Sequence, residues 1–136
     1  MTNQKIVSHR DLQVYNRSFE AALRVHEASK VFPKEELYSL TNQLRRSSRS
    51  VCANLAEAWR KRRYEAAFIS KLNDVEAEAG ETQTWIEFAV SFKYMSKEAG
   101  ANLQNTYEEI IGTIIGMISH SKSWVLPSGR KYSLRG

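Results

Sequence analysis

The sequence predicts an all-α protein, an antiparallel up-down-up-down four-helix bundle, on three observations. Only two prolines and six glycines punctuate 136 residues, so long stretches carry no turn signal. Apolar residues recur at three- and four-residue steps in four separate stretches, which is the period of a helix with one buried face. The punctuation that does occur, at Phe32-Pro33 and Ser96, falls between those stretches and supplies helix start signals. Four helices with short connections make an up-down bundle.

Residues 1–10 show no period and are expected to form a loose arm. Asp11 is the expected N-cap of the first helix, whose apolar stripe reads Leu12, Tyr15, Phe19, Ala22 and His26. Pro33 disfavours the α conformation in Phe32 but suits a first helical turn. Glu35 and Glu36 add the negative charge that a helix N-terminus favours, so the second helix is expected to start at Pro33. Its end is expected in a connection near Lys61 to Tyr64, because basic residues suit a C-terminus and the apolar period restarts in a new phase at Phe68. The third helix then reads Phe68, Leu72, Val75, Ala79, Thr82, Ile86 and Ala89, widened by Trp85, Phe88 and Phe92. Gly80 costs roughly 1 kcal/mol against Ala there, and is expected to mark a close helix approach. Ser96 caps the fourth helix, with Leu103, Tyr107, Ile110, Ile114 and Met117 or Ile118 inward and Ile111 and Ile115 broadening the face. Gly112 and Gly116 have the spacing that admits a neighbouring helix, although in a soluble helix an incidental origin is favoured. From Leu126-Pro127 onward the chain reads as a basic flexible tail, which divides it into an arm (1–10), a bundle (11–124) and a tail (125–136).

The stretch from Pro33 to Arg63 concentrates the chemistry. At about 100° per residue, Leu37, Leu40, Leu44, Val51, Leu55 and Ala58 gather on a core-facing stripe. Gln43, Ser50, Asn54 and Glu57 form a second, polar stripe, and Arg45, Arg49, Arg60 and Arg63 align on a third. If the helix ran unbroken, that third stripe would be an exposed basic ridge about 27 Å long.

The run Phe32-Pro33-Lys34-Glu35-Glu36, Leu40, Gln43-Leu44-Arg45-Arg46, Ser50-Val51 and Asn54-Leu55-Ala56-Glu57 continues with Lys71-Leu72-Asn73-Asp74 and Glu81-Thr82-Gln83-Thr84-Trp85. In this order it resembles the bacterial four-helix-bundle proteins named for open reading frames in intervening sequences of 23S ribosomal RNA genes. The resemblance spans roughly Asp11 to Ser123 and departs at Ala58, where the family usually has a glycine ending the helix. The accessory proteins of diversity-generating retroelements are similar too. What the resemblance implies is a homopentameric barrel of bundles whose basic surface binds nucleic acid, either a ribosomal RNA insert or the template RNA and reverse transcriptase of a retroelement.

Composition excludes several classes. With 42% hydrophobic and 26% charged residues, the chain is long enough to bury a core and too apolar to be disordered. No apolar run reaches the ~20 residues of a membrane span and Met1 to His9 lacks a signal-peptide segment, so a cytoplasmic protein is expected. The lone Cys52 reads as a small buried residue rather than a reactive thiol. His9, His26 and His120 fall on three elements without an i,i+4 ligand partner, and Asp74, Glu76 and Glu78 lack an E-x-x-H pairing, so no metal and no cofactor are expected. No phosphate loop or nucleophile elbow occurs, and an enzyme is not expected.

The net charge of +5 is segregated. Seven basic residues stand against Glu57 between Arg45 and Arg63, whereas eight acids stand against Lys93 and Lys97 between Asn73 and Glu109. Such an arrangement suits either helices that pair by opposite charge or a surface with two poles. The favoured expectation is a homo-oligomer that contacts the backbone phosphates of RNA or DNA through Arg45, Arg46, Arg49, Arg60, Lys61, Arg62 and Arg63, with little sequence preference. Oligomerisation follows from the surplus apolar faces of the third and fourth helices; the number five comes from the resemblance alone. The polar stripe Gln43, Ser50, Asn54 and Glu57 is read as a hydrogen-bonded seam that fixes register, in preference to a ligand pocket. The alternative to nucleic-acid binding is a structural oligomer or scaffold whose arginines pair across subunits with third-helix acids.

Overall fold

The computed structural model describes residues 5–127. Among them are four α-helices and no strand: α1 (Gln13–Ser29), α2 (Leu40–Arg60), α3 (Glu65–Ser91) and α4 (Lys97–Ser119), with three-residue 3-10 turns at His9–Asp11, Lys34–Glu36 and Ser121–Ser123. The helices pack around one core, in which α2 and α3 share the most extensive interface. On α3 and α4 the buried residues are those the apolar period predicts, from Phe68 to Ala89 and from Leu103 to Met117.

The first helix differs from expectation in which face it buries. Val14, Ser18, Ala21 and Val25 point inward beside Leu12, the buried member of the expected stripe, while Tyr15, Ala22 and His26 are half-buried, Tyr15 at the edge of the core, and Phe19 is 49% exposed. Small residues let the helix axis approach the core, and the larger rings would hold it away. Its start differs as well. Asp11 belongs to the preceding turn, where its carboxylate accepts from the Val7 and Ser8 amides and completes a capping box with Ser8, so Leu12 becomes the residue before α1.

The second helix begins seven residues later than Pro33. Lys34–Glu36 instead form a 3-10 turn, and Glu36 folds its carboxylate forward to accept from the Leu40 amide at 3.3 Å and the Ser39 hydroxyl at 2.6 Å. Tyr94 donates to the other oxygen of Glu36, and Phe32 packs on the Tyr94 ring, so the turn is tied to the α3–α4 connection. Leu37 therefore lies outside α2 and is 44% exposed. The helix does end at Arg60, and Lys61–Tyr64 form the connection expected there.

The close approach expected at Gly80 is elsewhere. An added Cβ at Gly80, Gly112 or Gly116 would meet nothing within 4 Å, whereas at Gly100 it would overlap Val90 Cγ2. Ser96 caps α4 as predicted, its hydroxyl accepting from the Ala99 amide at 3.1 Å. Past α4, Trp124 and Val125 still pack on the core, and the Leu126 amide donates to the Arg62 carbonyl. Residues 128–136 of the expected tail, with residues 1–4 of the arm, lie outside the described residues.

Candidate nucleic-acid interface

Turning Leu44, Val51, Leu55 and Ala58 into the core leaves Arg45 and Arg49 of the expected ridge together on the α1 side of α2 and sends Arg46, which lies off that ridge, to the α3 side. On the α1 side, Arg45 is half-buried and donates through Nε to Ser29 Oγ at 2.7 Å, while the more exposed Arg49 reaches His26 Nδ1 at 3.3 Å. That contact requires His26 Nδ1 to carry no proton, since a guanidinium can only donate. On the α3 side, Arg46 pairs with both Glu78 and Glu81, and Glu81 also accepts from Trp85 Nε1 at 3.0 Å. The Glu81 hydrogen bond is the main reason that the Arg46 guanidinium is held above its ordinary pKa.

The cluster after the helix divides in the same way. Arg62 lays its guanidinium 3.4 Å above the Trp59 ring centre and donates to the Trp59 carbonyl, and burial lowers its pKa. It works as a clamp between the end of α2 and the segment at Trp124, its Nη1 donating to the Trp124 carbonyl at 3.5 Å. Arg60, Lys61 and Arg63 are exposed. Arg63 follows the end of α2, so the expected 27 Å ridge does not form; its helical part, Arg45 to Arg60, spans about 22 Å by rise.

Two basic-end residues escape sequence reading. The 3-10 turn of the arm packs on α2, and His9 lines a shallow depression of about 350 Å³ with Arg60 and Lys61. His9 is held below its ordinary pKa first by burial and then by the charges of Arg10 and Arg60. Arg10, exposed, thus joins Arg60 although fifty positions separate them. No signal in the chain announces this, because residues 8–11 have no apolar period and their docking depends on the tertiary fold.

The polar stripe is half-buried to exposed rather than buried. Asn54 donates to the Ser50 carbonyl and hydroxyl, accepts from Lys71 at 3.3 Å, and Lys71 in turn pairs with Glu57 at 2.9 Å and Asp74 at 3.4 Å. Gln43 accepts from Arg46. The buried polar contact of the α2–α3 seam is a different pair, Ser47 and Thr82, whose hydroxyl oxygens lie 2.8 Å apart. The stripe is displaced because at 100° per residue Ser47 falls between the predicted core and polar faces, and α3 packs on that side.

Cys52 is buried, with its thiol pushed up to about 11 by burial. Among the described residues no group of three or more His, Cys, Asp or Glu could hold a metal ion, and no helix is long and apolar enough to cross a membrane.

Two comparisons place the chain among known proteins. Residues 10–116 match the family model described as 23S rRNA-intervening sequence protein. A crystal structure of a protein of unknown function from the S23 ribosomal protein family of Bacteroides thetaiotaomicron is similar at 31% identity with a TM-score of 0.71, over 77% of this chain and 97% of that one. Comparison with curated proteins finds no match. With four helices on one core, and a match running from Arg10 on the arm to Gly116 near the end of α4, the chain belongs to the 23S rRNA-intervening sequence protein family.

Proposed function

We propose that this protein is a cytoplasmic, non-enzymatic accessory protein that binds the phosphate backbone of RNA through a basic surface repeated around a homo-oligomer. The observation that carries this reading is the basic end where Arg10, Arg60 and Lys61 stand exposed around His9. Phosphate contacts need charge at accessible positions and no base-reading motif. Family membership supports RNA over DNA, since the family is described by a ribosomal RNA intervening sequence. Arg46 and Arg62 are occupied within the chain and serve the fold, so they leave the list of phosphate ligands.

The scaffold proposed for this surface is an antiparallel up-down-up-down bundle. Contacts run in opposite order along neighbours: Arg45 meets Ser29 and Arg49 meets His26, Ser47 meets Thr82 and Asn54 meets Lys71, Arg17 meets Glu109 and Arg24 meets Thr106. Assembly into a ring, a pentamer in this reading, is supported by apolar side chains left outside: Phe19, Leu23, Phe88, Phe92 and Ile115 are 45–55% exposed. Ring closure would present several basic ends to one strand, and weak contacts would add by multivalency.

The test is filter binding of a structured RNA at low and moderate salt, comparing wild type with a variant carrying Arg10→Ala, Arg60→Ala and Lys61→Ala. Tight binding by wild type at low salt, lost steeply as salt rises and weakened at least tenfold in the variant, is expected. Equal binding by an assembled variant overturns the role of the basic end. If wild type is assembled and does not bind at low salt, the structural-oligomer reading replaces nucleic-acid binding altogether.

A further inference from the structure

Among the exposed apolar residues, two groups are large enough to act as surfaces, one of them concave. The concave one is a groove of about 560 Å³ between α1 and α2, floored by Ala53 and Ala56 and walled by Tyr15, Phe19 and Leu23. Arg49, held by His26, stands at its rim as the charged residue of the lining. The other is a ladder of rings at the end of α3, with Phe88 and Phe92 about half exposed: Trp85 to Phe88 at 6.0 Å, Phe88 to Phe92 at 5.8 Å, and Phe92 to Tyr94 at 5.5 Å. At its Tyr94 end the ladder is flanked by Glu36, which accepts from Tyr94, and by the exposed Glu35, with the exposed Lys93 between Phe92 and Tyr94; Glu81, which accepts from Trp85, is already paired with Arg46.

We infer that the ring ladder of one copy seats in the α1–α2 groove of the next copy, making a head-to-tail contact with acids of one face against Arg49 of the other. The occupant is a second copy of this chain because its own ladder has the three properties the groove demands. It is aromatic, matching an apolar lining. It carries Glu35 and Glu36 at one end, opposite in charge to the Arg49 rim. And it is short enough: Trp85 to Phe92 rises about 10 Å, against about 16 Å for the α1 wall from Tyr15 to His26. The fit is also reciprocal. The ladder's own rings Trp85, Phe88 and Phe92 wall a second depression of about 420 Å³ together with Tyr38, Leu40 and Gln43, and it suits the protruding Phe19 and Leu23 of the neighbour. A symmetric dimer through either face would leave the other bare, whereas a head-to-tail contact repeated from copy to copy covers both, and it makes a ring when the rotation between neighbours closes. Arg49 then belongs to the subunit contact, leaving Arg10, Arg60 and Lys61 for the phosphate surface. This inference rests on the oligomer reading above and specifies its interface.

The experiment uses two full-length variants, a ladder variant (Phe88→Glu with Phe92→Glu) and a groove variant (Phe19→Glu with Leu23→Glu), sized by light scattering at micromolar concentration. All four side chains are exposed, and unchanged far-UV circular dichroism checks folding; the corresponding serine variants replace any that fail. Each variant alone should run near the chain mass of 15.6 kDa. Mixed in equal amounts they should form a two-chain species and nothing larger, because the mixture holds one intact ladder and one intact groove per pair. A ladder or groove variant that still assembles by itself, or a mixture that stays monomeric, overturns this contact while leaving the oligomer standing. A monomeric wild type overturns the oligomer itself.

Discussion

At the scale of single residues, the turn between α3 and α4 holds the clearest departures from sequence signals. Tyr94 donates its amide to the Ala89 carbonyl and Lys93 to the Val90 carbonyl, the hydrogen-bond pair that ends helices through a left-handed residue. That residue is Lys93, at φ 65°, where glycine is usual. Lys93→Gly is expected to stabilise the fold by about 1 kcal/mol, read as a melting temperature a few degrees higher. Gly100, in the first turn of α4, answers the opposite way. An Ala there gains about 1 kcal/mol of helix propensity but drives its methyl into Val90, whose branched side chain has little rotamer freedom. A net loss of about 1–2 kcal/mol in urea unfolding is expected. Cys52 supplies a pH dependence. Its thiol holds its proton to about 11 in the fold against an ordinary 9.0, so the folded state binds more protons as pH rises through that window and stability falls. Urea midpoints measured from pH 8 to 11 should drop more in wild type than in Cys52→Ala.

At the scale of elements, α1 shows how two apolar stripes compete for one core. Both Leu12-Tyr15-Phe19-Ala22-His26 and Val14-Ser18-Ala21-Val25 have helical spacing, and the fold buries the second together with Leu12 of the first. The larger side chains of the first form the wall of the groove. Val25→Ala should therefore cost about 2 kcal/mol of folding stability, while Phe19→Ala should change assembly more than folding. Chemical denaturation of the two variants, with light scattering beside it, separates these outcomes; an equal loss of folding stability in both would contradict the placement of the two faces. The α2–α3 pair adds polar detail to the same lesson. Thr82, whose place in the α3 stripe is legible as one of seven regularly spaced positions, meets Ser47, whose burial is not. The α2 period puts Ser47 at the border of the core face and Ser50 deeper in the polar stripe; the side on which α3 docks turns that border position inward.

At the scale of the whole molecule, the segregated charge resolves into two uses. Part of it joins α2 to α3, through Arg46 with Glu78 and Glu81 and through Lys71 with Glu57. These pairs are substantially exposed, and such pairs contribute little to stability individually. Of the rest, Arg60 and Lys61 collect with Arg10 where the arm meets the end of α2. If that end binds phosphates, each contact adds about −0.9 to the slope of log affinity against log salt for duplex nucleic acid. The Arg10→Ala, Arg60→Ala, Lys61→Ala variant should then bind with a slope shallower by about two to three for each basic end engaged. A titration series in salt with wild type and variant measures this, and parallel slopes would assign the binding to another surface.

Helix number, the inner faces of α3 and α4, the Ser96 cap and the connection at Lys61–Tyr64 are all legible in the amino-acid order. Each rests on local physics: the 3.6-residue period and the capping of free backbone groups act within a few residues. The burial of Ala21 over Tyr15 and Phe19, the displacement of the α2 start to Leu40, the close approach at Gly100, the Arg62 clamp on Trp59 and the arrival of Arg10 beside Arg60 are decided by tertiary packing. Each depends on which neighbour a helix meets and at what rotation, and those contacts join residues that are remote in the chain or favour one of two locally equivalent faces. The basic character of this protein is therefore written in its sequence, while the set of charges left accessible on its surface is chosen by the fold.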